Sequence, residues 1–293
     1  VDYSLTRQLR YSPEKFDLNR VREFMSLMGD PHLKYPTIHI AGTKGKGSIC
    51  AMIATILSQR GLRVGLYTSP HLQEFTERIR INNREISKDE FVEIVERLKP
   101  YIKQVRNIST FEITTALAFQ YFFENSVDIA VVEVGLGGRL DATNVVNPLV
   151  SVISTISKDH EKILGNTLEK IAVEKAGIIK ENTPVVISKQ KPRIKNIFNE
   201  IALKRNAPFY SVEDLLRYRF IHQDLKGQDF IILENDNKQL DVNLPLLGPH
   251  QLQNALAAYL AIKLISSKKG FEISPQNIQK GFQNVTWPGR FEI

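Results

Sequence analysis

Two kinds of hydrophobic pattern alternate along the chain. Short, mainly apolar runs occur at 37–40, 63–70, 127–135 and 148–157, and again in the segments TPVVIS and APFYSV. Such runs predict buried strands of the parallel type. Between them, apolar residues recur every three or four positions, at 49–57, 111–124 and 166–180. This second pattern predicts helices, and strands that alternate with helices predict an α/β fold with a mostly parallel sheet flanked by helices.

Two of the predicted helices begin with a capping signal. Ser87 lies three residues before Glu90, and Asn166 lies three residues before Glu169. This spacing lets the first side chain accept a hydrogen bond from the helix backbone, while the acidic side chain returns one. We therefore expect helices to begin at these two positions.

The pattern changes between residues 217 and 244. Short alternating segments there surround turn residues, which predicts a small antiparallel β insertion or an edge meander. Helical spacing returns at 250–265, and a shorter helix is predicted from Ser274 onward.

A glycine-rich segment, IHIAGTKGKGS at 38–48, joins the first predicted strand to the first long helix. Strand, glycine turn and helix is the order of a phosphate-binding loop, in which backbone N–H groups and a lysine approach phosphate oxygens. The usual pattern would place glycine where Ile40 stands and a hydroxyl where Gly47 stands. The alternative is an ordinary glycine turn with solvated lysines. The candidate nucleotide-binding residues are Gly42, Thr43, Lys44, Gly45, Lys46, Gly47 and Ser48.

Other polar residues follow the predicted strands, and ligands of open parallel sheets bind at the carboxyl ends of strands. Ser69 follows the second strand, Glu133 interrupts the apolar run VVEV, and His160 follows STISKD. A buried Glu133 needs a partner, either a metal ion on nucleotide phosphates or a core lysine or arginine. His160 is interpreted as a metal ligand, a general base or a surface histidine. The loop GLGGRLDATN suits either a second ligand or a long turn capped by Asp141 and Asn144.

Composition narrows the classes of protein. Apolar residues make up 42% and charged residues 24% of the chain, which is ordinary for a soluble globular protein. The formal net charge of +7 fits a phosphate-rich or carboxylate-rich small ligand, and no aromatic interleaving indicates nucleic acid. No apolar run is long enough to span a membrane, so a cytoplasmic location is expected. The single cysteine, Cys50, excludes an internal disulfide and is expected to be a packed core residue.

Six segments occur in an order that resembles the folylpolyglutamate synthase and dihydrofolate synthase family, within the Mur ligase superfamily. They are AGTKGKGS, YTSPHLQEFTERI, STFEITTALAF, VVEVGLGGRLDATN, DHEKILGNTLEKIAVEKAGIIK and LGPHQLQNALAA. The resemblance covers essentially the whole chain. It implies an ATP-dependent ligase that joins L-glutamate to the carboxylate of a folate or dihydropteroate through an acyl phosphate.

The resemblance also implies roles at the phosphate end of the site. Lys46 and Ser48 would hold the ATP phosphates. Ser69, Glu133 and His160 would bind Mg²⁺, with two metal sites plausible. Lys175, in the segment EKAG, matches a lysine that is carbamylated in the family and would then offer oxygen ligands. From the residues alone, a lysine beside Glu174 is more often part of a surface ion pair. The catalytic set implied is Lys46, Glu133, His160 and Lys175.

Further roles are implied for the organic substrates. Phe111 resembles the aromatic residue that contacts the pterin ring, with a core aromatic as the alternative. Arg139 and Asp141 resemble residues of the loop on the folate side. Asn254 would approach the adenine, and Arg290, in the segment GRFE, would approach the phosphates.

The resemblance sets an expectation for domain organisation. Residues 1–293 would form one Mur-ligase-type ATP-binding domain, and the C-terminal domain that helps the family bind glutamate would be absent. A monomer is expected. Two other interpretations remain open at this point, a non-catalytic ATP-binding module and a phosphotransferase with a phosphate loop. The GLGGRLDATN and EKAG segments speak against the phosphotransferase.

Overall fold

A computed structural model describes residues 17–236, 238–268 and 270–289 of the chain. Its centre is an eight-stranded sheet with the strand order β4-β3-β2-β5-β1-β6-β7-β8. Six neighbouring strands, from β2 to β8 in that order, run parallel, and β3 and β4 extend one edge antiparallel. The strands are β1 Thr37–Ala41, β2 Val64–Tyr67, β3 Ile79–Ile81, β4 Arg84–Glu85, β5 Ile129–Glu133, β6 Pro148–Ile153, β7 Val185–Ile187 and β8 Phe209–Ser211. The predicted α/β fold with a mostly parallel sheet is confirmed.

Helices cover both faces of this sheet, which explains why its central strands are apolar along their whole length. Every residue of β1 and β5 is buried. The α-helices of the described residues are α1 Leu18–Leu27, α2 Lys46–Gln59, α3 Lys88–Ile102, α4 Thr110–Glu124, α5 Glu161–Leu164, α6 Leu168–Ala176, α7 Pro192–Lys204, α8 Val212–Leu215, α9 Pro249–Ser266 and α10 Pro275–Gln283.

Helix α2 has no solvent face over most of its length. All residues from 47 to 57 are buried, because α9 and α10 pack against the side of α2 that faces away from the sheet. Cys50 lies within this stretch, fully buried, as expected of a packed core residue.

The predicted antiparallel insertion is confirmed as a separate three-stranded sheet with the order β11-β10-β9. Its strands are β9 Leu216–Asp224, β10 Gly227–Glu234 and β11 Gln239–Leu244. One face joins the core beneath α2 and α9 through Phe230, Ile232 and Val242. The insertion therefore supports the helices behind the sheet, and it is not the edge meander that the sequence also allowed.

The two capping predictions have different outcomes. At α3, Ser87 accepts from the backbone N–H of Glu90 and Glu90 returns the bond, as predicted. At α6 the predicted cap, Asn166, is wrong by one residue, because the side chain of Thr167 accepts from the backbone N–H of Lys170. No helix of the described residues is long and apolar enough to cross a membrane.

Candidate active site

The glycine-rich loop leaves β1 at the centre of the sheet and opens α2. Gly45 caps α2 with a φ of 89°, and Gly42 has a φ of 140°, a left-handed region that side chains disfavour. A Cβ on Gly42 would lie 1.8 Å from Oγ of Ser154, and one on Gly45 would lie 2.3 Å from Oδ1 of Asn254. Glycine is thus required at both positions by backbone conformation and by close neighbours.

The same loop is tied to the chain that leaves β6. The backbone N–H of Thr43 donates to the carbonyl of Thr155 at 3.1 Å. The Thr43 hydroxyl donates to the carbonyl of Ser157 and accepts from the N–H of Ser157, both at 3.2 Å. These bonds fix the loop before any ligand arrives, and the N-terminus of α2 that follows it presents backbone N–H groups of the kind that can bind an anion. Lys44 is exposed in this loop.

Lys46 and Glu133 meet above the ends of β1 and β5. The strand register places Ile40 beside Glu133, so the phosphate loop and this carboxylate leave neighbouring strands at the same end of the sheet. Lys46 Nζ lies 3.7 Å from Oε1 of Glu133, whose side chain is 6% exposed. The backbone N–H of Ser69 donates to Oε2 of Glu133 at 3.2 Å. A lysine is therefore one partner of Glu133, as the sequence allowed.

Lys175 is buried near these groups. Its relative exposure is 5%, so the alternative of a surface ion pair is wrong. The described residues give its amine no hydrogen bond or ion pair, and Glu174 pairs instead with Arg139 at 2.9 Å. Burial and the charge of Lys46 lower the pKa of Lys175 to about 7, although Asp159 and Asp141 act in the opposite direction. A substantial fraction of this amine is neutral near pH 7.

Two glycines bring Lys175 to this position. A Cβ on Gly138 would lie 2.8 Å from the carbonyl oxygen of Glu174, and one on Gly177 would lie 2.3 Å from Cα of Arg139. The loop after β5 therefore packs with its backbone directly against the end of α6. The N–H of Arg139 donates to the carbonyl of Glu174 at 2.8 Å, which holds the contact.

Asp141 is the centre of a buried hydrogen-bond chain. Its carboxylate accepts from the N–H of Leu136 at 2.8 Å and from the N–H of Thr143 at 3.0 Å. The Thr143 hydroxyl also donates to it, and Nε2 of His39 lies 2.8 Å from that hydroxyl. Because the hydroxyl proton is directed to Asp141, the proton of His39 is assigned to Nε2. Burial raises the pKa of Asp141 above its ordinary value, and these hydrogen bonds act against the rise.

A cavity of about 320 Å³ opens beside this chain and reaches Ser69. Phe111 lies on its wall and packs against Gly135, on which a Cβ would approach the ring to 2.5 Å. The Tyr67 ring lies behind Phe111, with centroids 6.3 Å apart. The side chains that line the cavity and bear on its chemistry are Arg20, Ser69, His71, Phe75, Arg78, Phe111, Glu112, Asp141 and His160. It is a space lined by aromatic and polar side chains, of the kind that binds small organic molecules.

Comparison with known proteins decides the family. The model of the Mur ligase middle domain matches residues 40–262. The dihydrofolate synthase/folylpolyglutamate synthase of Bacillus subtilis is 39% identical over 283 residues, which are 94% of this chain and 66% of that protein. The apo form of the L. casei folylpolyglutamate synthase superposes with a TM-score of 0.91 at 33% identity, over 99% of this chain and 71% of that one. The chain belongs to the folylpolyglutamate and dihydrofolate synthase family of Mur ligases. It spans 66% of the length of the Bacillus relative.

Solved structures of this family include ligand complexes. A folylpolyglutamate synthase in complex with AMPPCP and folate matches with a TM-score of 0.91 at 33% identity, over 99% of this chain and 71% of that one. The folylpolyglutamate synthase of Thermotoga maritima matches with a TM-score of 0.86 at 40% identity, over 94% of this chain and 64% of that one. Both share the fold described above.

The remaining residues that the family resemblance singled out lie in three places. His160 is 44% exposed, with its ring 3.7 Å from Asp159, at the mouth of the cavity. Ser48 is buried under α9, where its hydroxyl accepts from Gln251 at 3.3 Å, and Gln251 accepts from Asn254 at 2.9 Å. Arg139 is not among the residues that line the cavity. Arg290 lies outside the described residues.

Two residues at this Mur ligase site were not singled out from the sequence. Gln251 connects Ser48 to Asn254, and its position one helical turn before Asn254 was the available signal. Arg78 lines the cavity, and it lies within the quoted segment YTSPHLQEFTERI. Its role depends on the pairing of β2 with β3, which the sequence pattern did not predict.

Proposed function

We propose that this chain acts in ATP-dependent ligation of L-glutamate to the carboxylate of a folate or dihydropteroate. The supporting observation is the position of Ser69, whose backbone N–H donates to Glu133 beside Lys46 and which also lines the cavity. A phosphate site and a cavity for an organic molecule thus adjoin at one residue. Such a junction is what a reaction between a triphosphate and an organic acid requires.

The first step joins two anions. A carboxylate oxygen of the pteroyl substrate attacks the γ-phosphorus of ATP, and the bond to the bridging oxygen breaks as ADP leaves. Charge neutralisation and alignment account for most of the catalysis in such a transfer. Lys46, the N–H groups of the loop and the N-terminus of α2 supply positive potential to the phosphates. The loop residues Gly42 to Ser48 act as the nucleotide site in this proposal.

In the second step the neutral amine of glutamate attacks the acyl carbon. The carbonyl carbon forms the new C–N bond, inorganic phosphate leaves, and the amine loses a proton. Overall, ATP, the carboxylate and glutamate give ADP, phosphate, the amide and a proton. We expect the protein to work in the cytoplasm, and the family resemblance implies that it is a monomer.

Magnesium fits the residues at the phosphate end. Glu133 offers a buried carboxylate that accepts from the N–H of Ser69 and forms an ion pair with Lys46, and Mg²⁺ usually takes one or two protein oxygens beside phosphate and water. The ion would neutralise charge on the transferred phosphate. Ser69 and Glu133 would hold one ion. His160 and a carbamylated Lys175 would hold a second ion.

Carbamylation of Lys175 is favoured by its environment. The reaction joins the neutral amine to carbon dioxide, forming a C–N bond and releasing a proton. Only an unprotonated amine reacts, and the pKa of about 7 makes that form abundant near neutral pH. Removing a positive charge beside Lys46 also relieves a like-charge contact.

The organic substrate would occupy the aromatic cavity. Phe111 would offer its ring to a flat heterocycle, and Asp141 also lines the cavity. Arg139 would contribute to the folate side of the site from the loop after β5, where its ion pair with Glu174 holds it. Asn254 would approach the adenine from α9. Arg290 would reach the phosphates.

The test is titration of the chain with AMPPCP and Mg²⁺. We expect Lys46→Ala to weaken binding by roughly tenfold or more, because a charged hydrogen bond contributes about 1.5–3 kcal/mol. Lys204→Ala, at an exposed position at the end of α7, is the control and should bind as wild type does. Equal binding by all three proteins would contradict the assignment of the phosphate loop.

A second measurement addresses the reaction. The chain is supplied with ATP, glutamate and either pteroate or folate, and the products are identified by mass spectrometry. An amide product together with ADP supports ligation. ADP with a phosphorylated acceptor would indicate a phosphotransferase instead, and nucleotide binding without any product would indicate a binding module.

A further inference from the structure

Three side chains on the rim of the cavity form a rigid unit, here called the arginine ledge: His71, Phe75 and Arg78. Nε of Arg78 donates to Nδ1 of His71 at 2.9 Å. The Arg78 guanidinium carbon lies 4.7 Å from the centroid of the Phe75 ring, and the rings of His71 and Phe75 are 5.3 Å apart. One hydrogen bond and one cation–π contact therefore orient the guanidinium.

The charge of this ledge is not neutralised by the residues that the structure describes. Arg78 is half-buried, yet it forms no ion pair with a described carboxylate, and its two terminal nitrogens donate to no described residue. The other arginine on the cavity wall, Arg20, pairs with Glu112 at 3.3 Å. A half-buried guanidinium with unused donors at a cavity wall is suited to a carboxylate ligand, which it can bind through two parallel hydrogen bonds.

The ledge lies at the phosphate end of the cavity. Strands β2 and β3 pair antiparallel with Tyr67 opposite Ile79, and the N–H of Thr68 donates to the carbonyl of Arg78 at 3.0 Å. Arg78 is thereby held opposite Thr68, the residue before Ser69. In the proposed reaction the carboxylate meets the nucleotide beside Ser69. A group bound by Arg78 is thus close to the reacting carboxylate without having to be that carboxylate.

We propose that Arg78, oriented by His71 and Phe75, binds the α-carboxylate of the terminal glutamate of a pteroylglutamate substrate. This inference rests on the proposed function and narrows its substrate class. A pteroylglutamate carries two carboxylates on its last residue, so the γ-carboxylate can react while the α-carboxylate occupies the ledge. Pteroate carries a single carboxylate and leaves the ledge empty. The ledge therefore favours substrates that already bear glutamate.

The experiment compares two ligands that differ by that glutamate. Binding of pteroate and of pteroylglutamate is measured by titration in saturating AMPPCP and Mg²⁺, for wild type, Arg78→Gln, Arg78→Lys and Arg84→Gln. Arg84 is exposed on β4 nearby, so its variant removes the same charge outside the cavity. We expect Arg78→Gln to weaken the binding of pteroylglutamate by roughly tenfold or more and the binding of pteroate by less than about twofold. Arg84→Gln should change neither.

The outcomes separate the possible roles of Arg78. Equal weakening of both ligands would mean that Arg78 binds the reacting carboxylate or only supports the cavity, and it would overturn the proposal. Unchanged binding of both would overturn it as well. Should Arg78→Gln fail to bind AMPPCP or to unfold cooperatively, Arg78→Lys provides the test, because it keeps the charge and loses the forked geometry. Its expected effect is a selective loss for pteroylglutamate.

Failure of the proposed function has a different signature. If wild type binds AMPPCP but neither pteroyl ligand, the substrate class is wrong, and the inference about Arg78 is overturned with it. If wild type binds both ligands and Arg78→Gln does not discriminate between them, only the role of the ledge is wrong.

Discussion

Acid should destabilise this domain through His39, which is fully buried in the central strand β1. Its Nε2 donates to Thr143, and its Nδ1 has no hydrogen-bond partner among the described residues. Protonation would place a charge on Nδ1 in an apolar sheet, where neither solvent nor an acceptor can stabilise it. Burial first, and the charge of Lys180 second, lower the pKa of His39 to about 3.

The direction in which the free energy of unfolding changes with pH follows from the number of protons bound by each state. In the unfolded chain a histidine gains its proton as the pH falls through about 6.5, whereas folded His39 stays neutral until about pH 3. The unfolded state binds more protons throughout this window, so the free energy of unfolding decreases as the pH falls. Each pH unit costs about 1.4 kcal/mol, so His39 accounts for a loss of about 2 kcal/mol between about pH 7 and pH 5.

The assay is urea unfolding of wild type and His39→Gln at about pH 7 and about pH 5. Glutamine can donate its amide to Thr143 but does not titrate, so the variant should lose about 2 kcal/mol less stability on acidification. His32, whose pKa burial lowers to about 4, titrates in both proteins and cancels in the comparison. His222→Gln, at an exposed position, is the control and should follow wild type.

An identical loss of stability in wild type and His39→Gln would refute this reasoning. It would mean that the folded protein accommodates a charged His39, by water entry or by rearrangement of the chain to Asp141. If acidification lowers the free energy of unfolding less in His222→Gln than in wild type, surface charge, and not burial, controls the loss of stability in acid.

Two further predictions concern the site. Gly45→Ala should weaken AMPPCP binding by more than about tenfold, because its left-handed φ costs roughly 1–2 kcal/mol and its Cβ displaces Asn254. Gly61→Ala has the same φ of 90° but open space around it, so titration should show unchanged binding, and a loss of binding there would contradict the account. Lys175 should give a carbamate signal by NMR when ¹³C-labelled carbon dioxide is supplied at slightly alkaline pH. The signal should vanish in Lys175→Gln and persist in the exposed control Lys170→Gln, and its absence from wild type would remove the second metal site.

Most strands of the sheet, and their mainly parallel direction, were predictable from the hydrophobic pattern. Strands buried on both faces have continuous apolar runs, as Val131 and Val132 illustrate, and such runs are visible without knowledge of neighbours. The insertion was predictable because Phe230 and Ile232 alternate with outward residues. In contrast, β3 and β4 contain three residues and two residues and are too short to display any period.

Local ambiguity explains the error at α6. Asn166 and Thr167 are both residue types that cap helices, and the sequence cannot show which hydroxyl or amide the backbone turns toward. In the structure Thr167 is the cap, so the helix begins one residue later than predicted.

The candidate site was predictable where chemistry is local and unpredictable where it depends on packing. The candidate phosphate loop is contiguous in sequence, so Gly45 and Lys46 can be recognised without knowledge of the tertiary structure. Lys175 follows Glu174 along the chain and looks like half of a surface pair, but the backbone contact at Gly177 turns Glu174 toward Arg139 and leaves the lysine buried. Only tertiary structure contains that information.

The enclosure of α2 determines which parts of the protein can move. Between residues 47 and 57 the helix is covered on every side, so its amides should exchange with solvent only when the whole domain opens. The phosphate loop shares that rigidity through its bonds to the chain after β6. Motion that accompanies nucleotide arrival is therefore expected outside α2 and the phosphate loop. If the proposed function holds, the sheet and α2 would keep the triphosphate in a fixed position, and the substrate acid would be aligned against it.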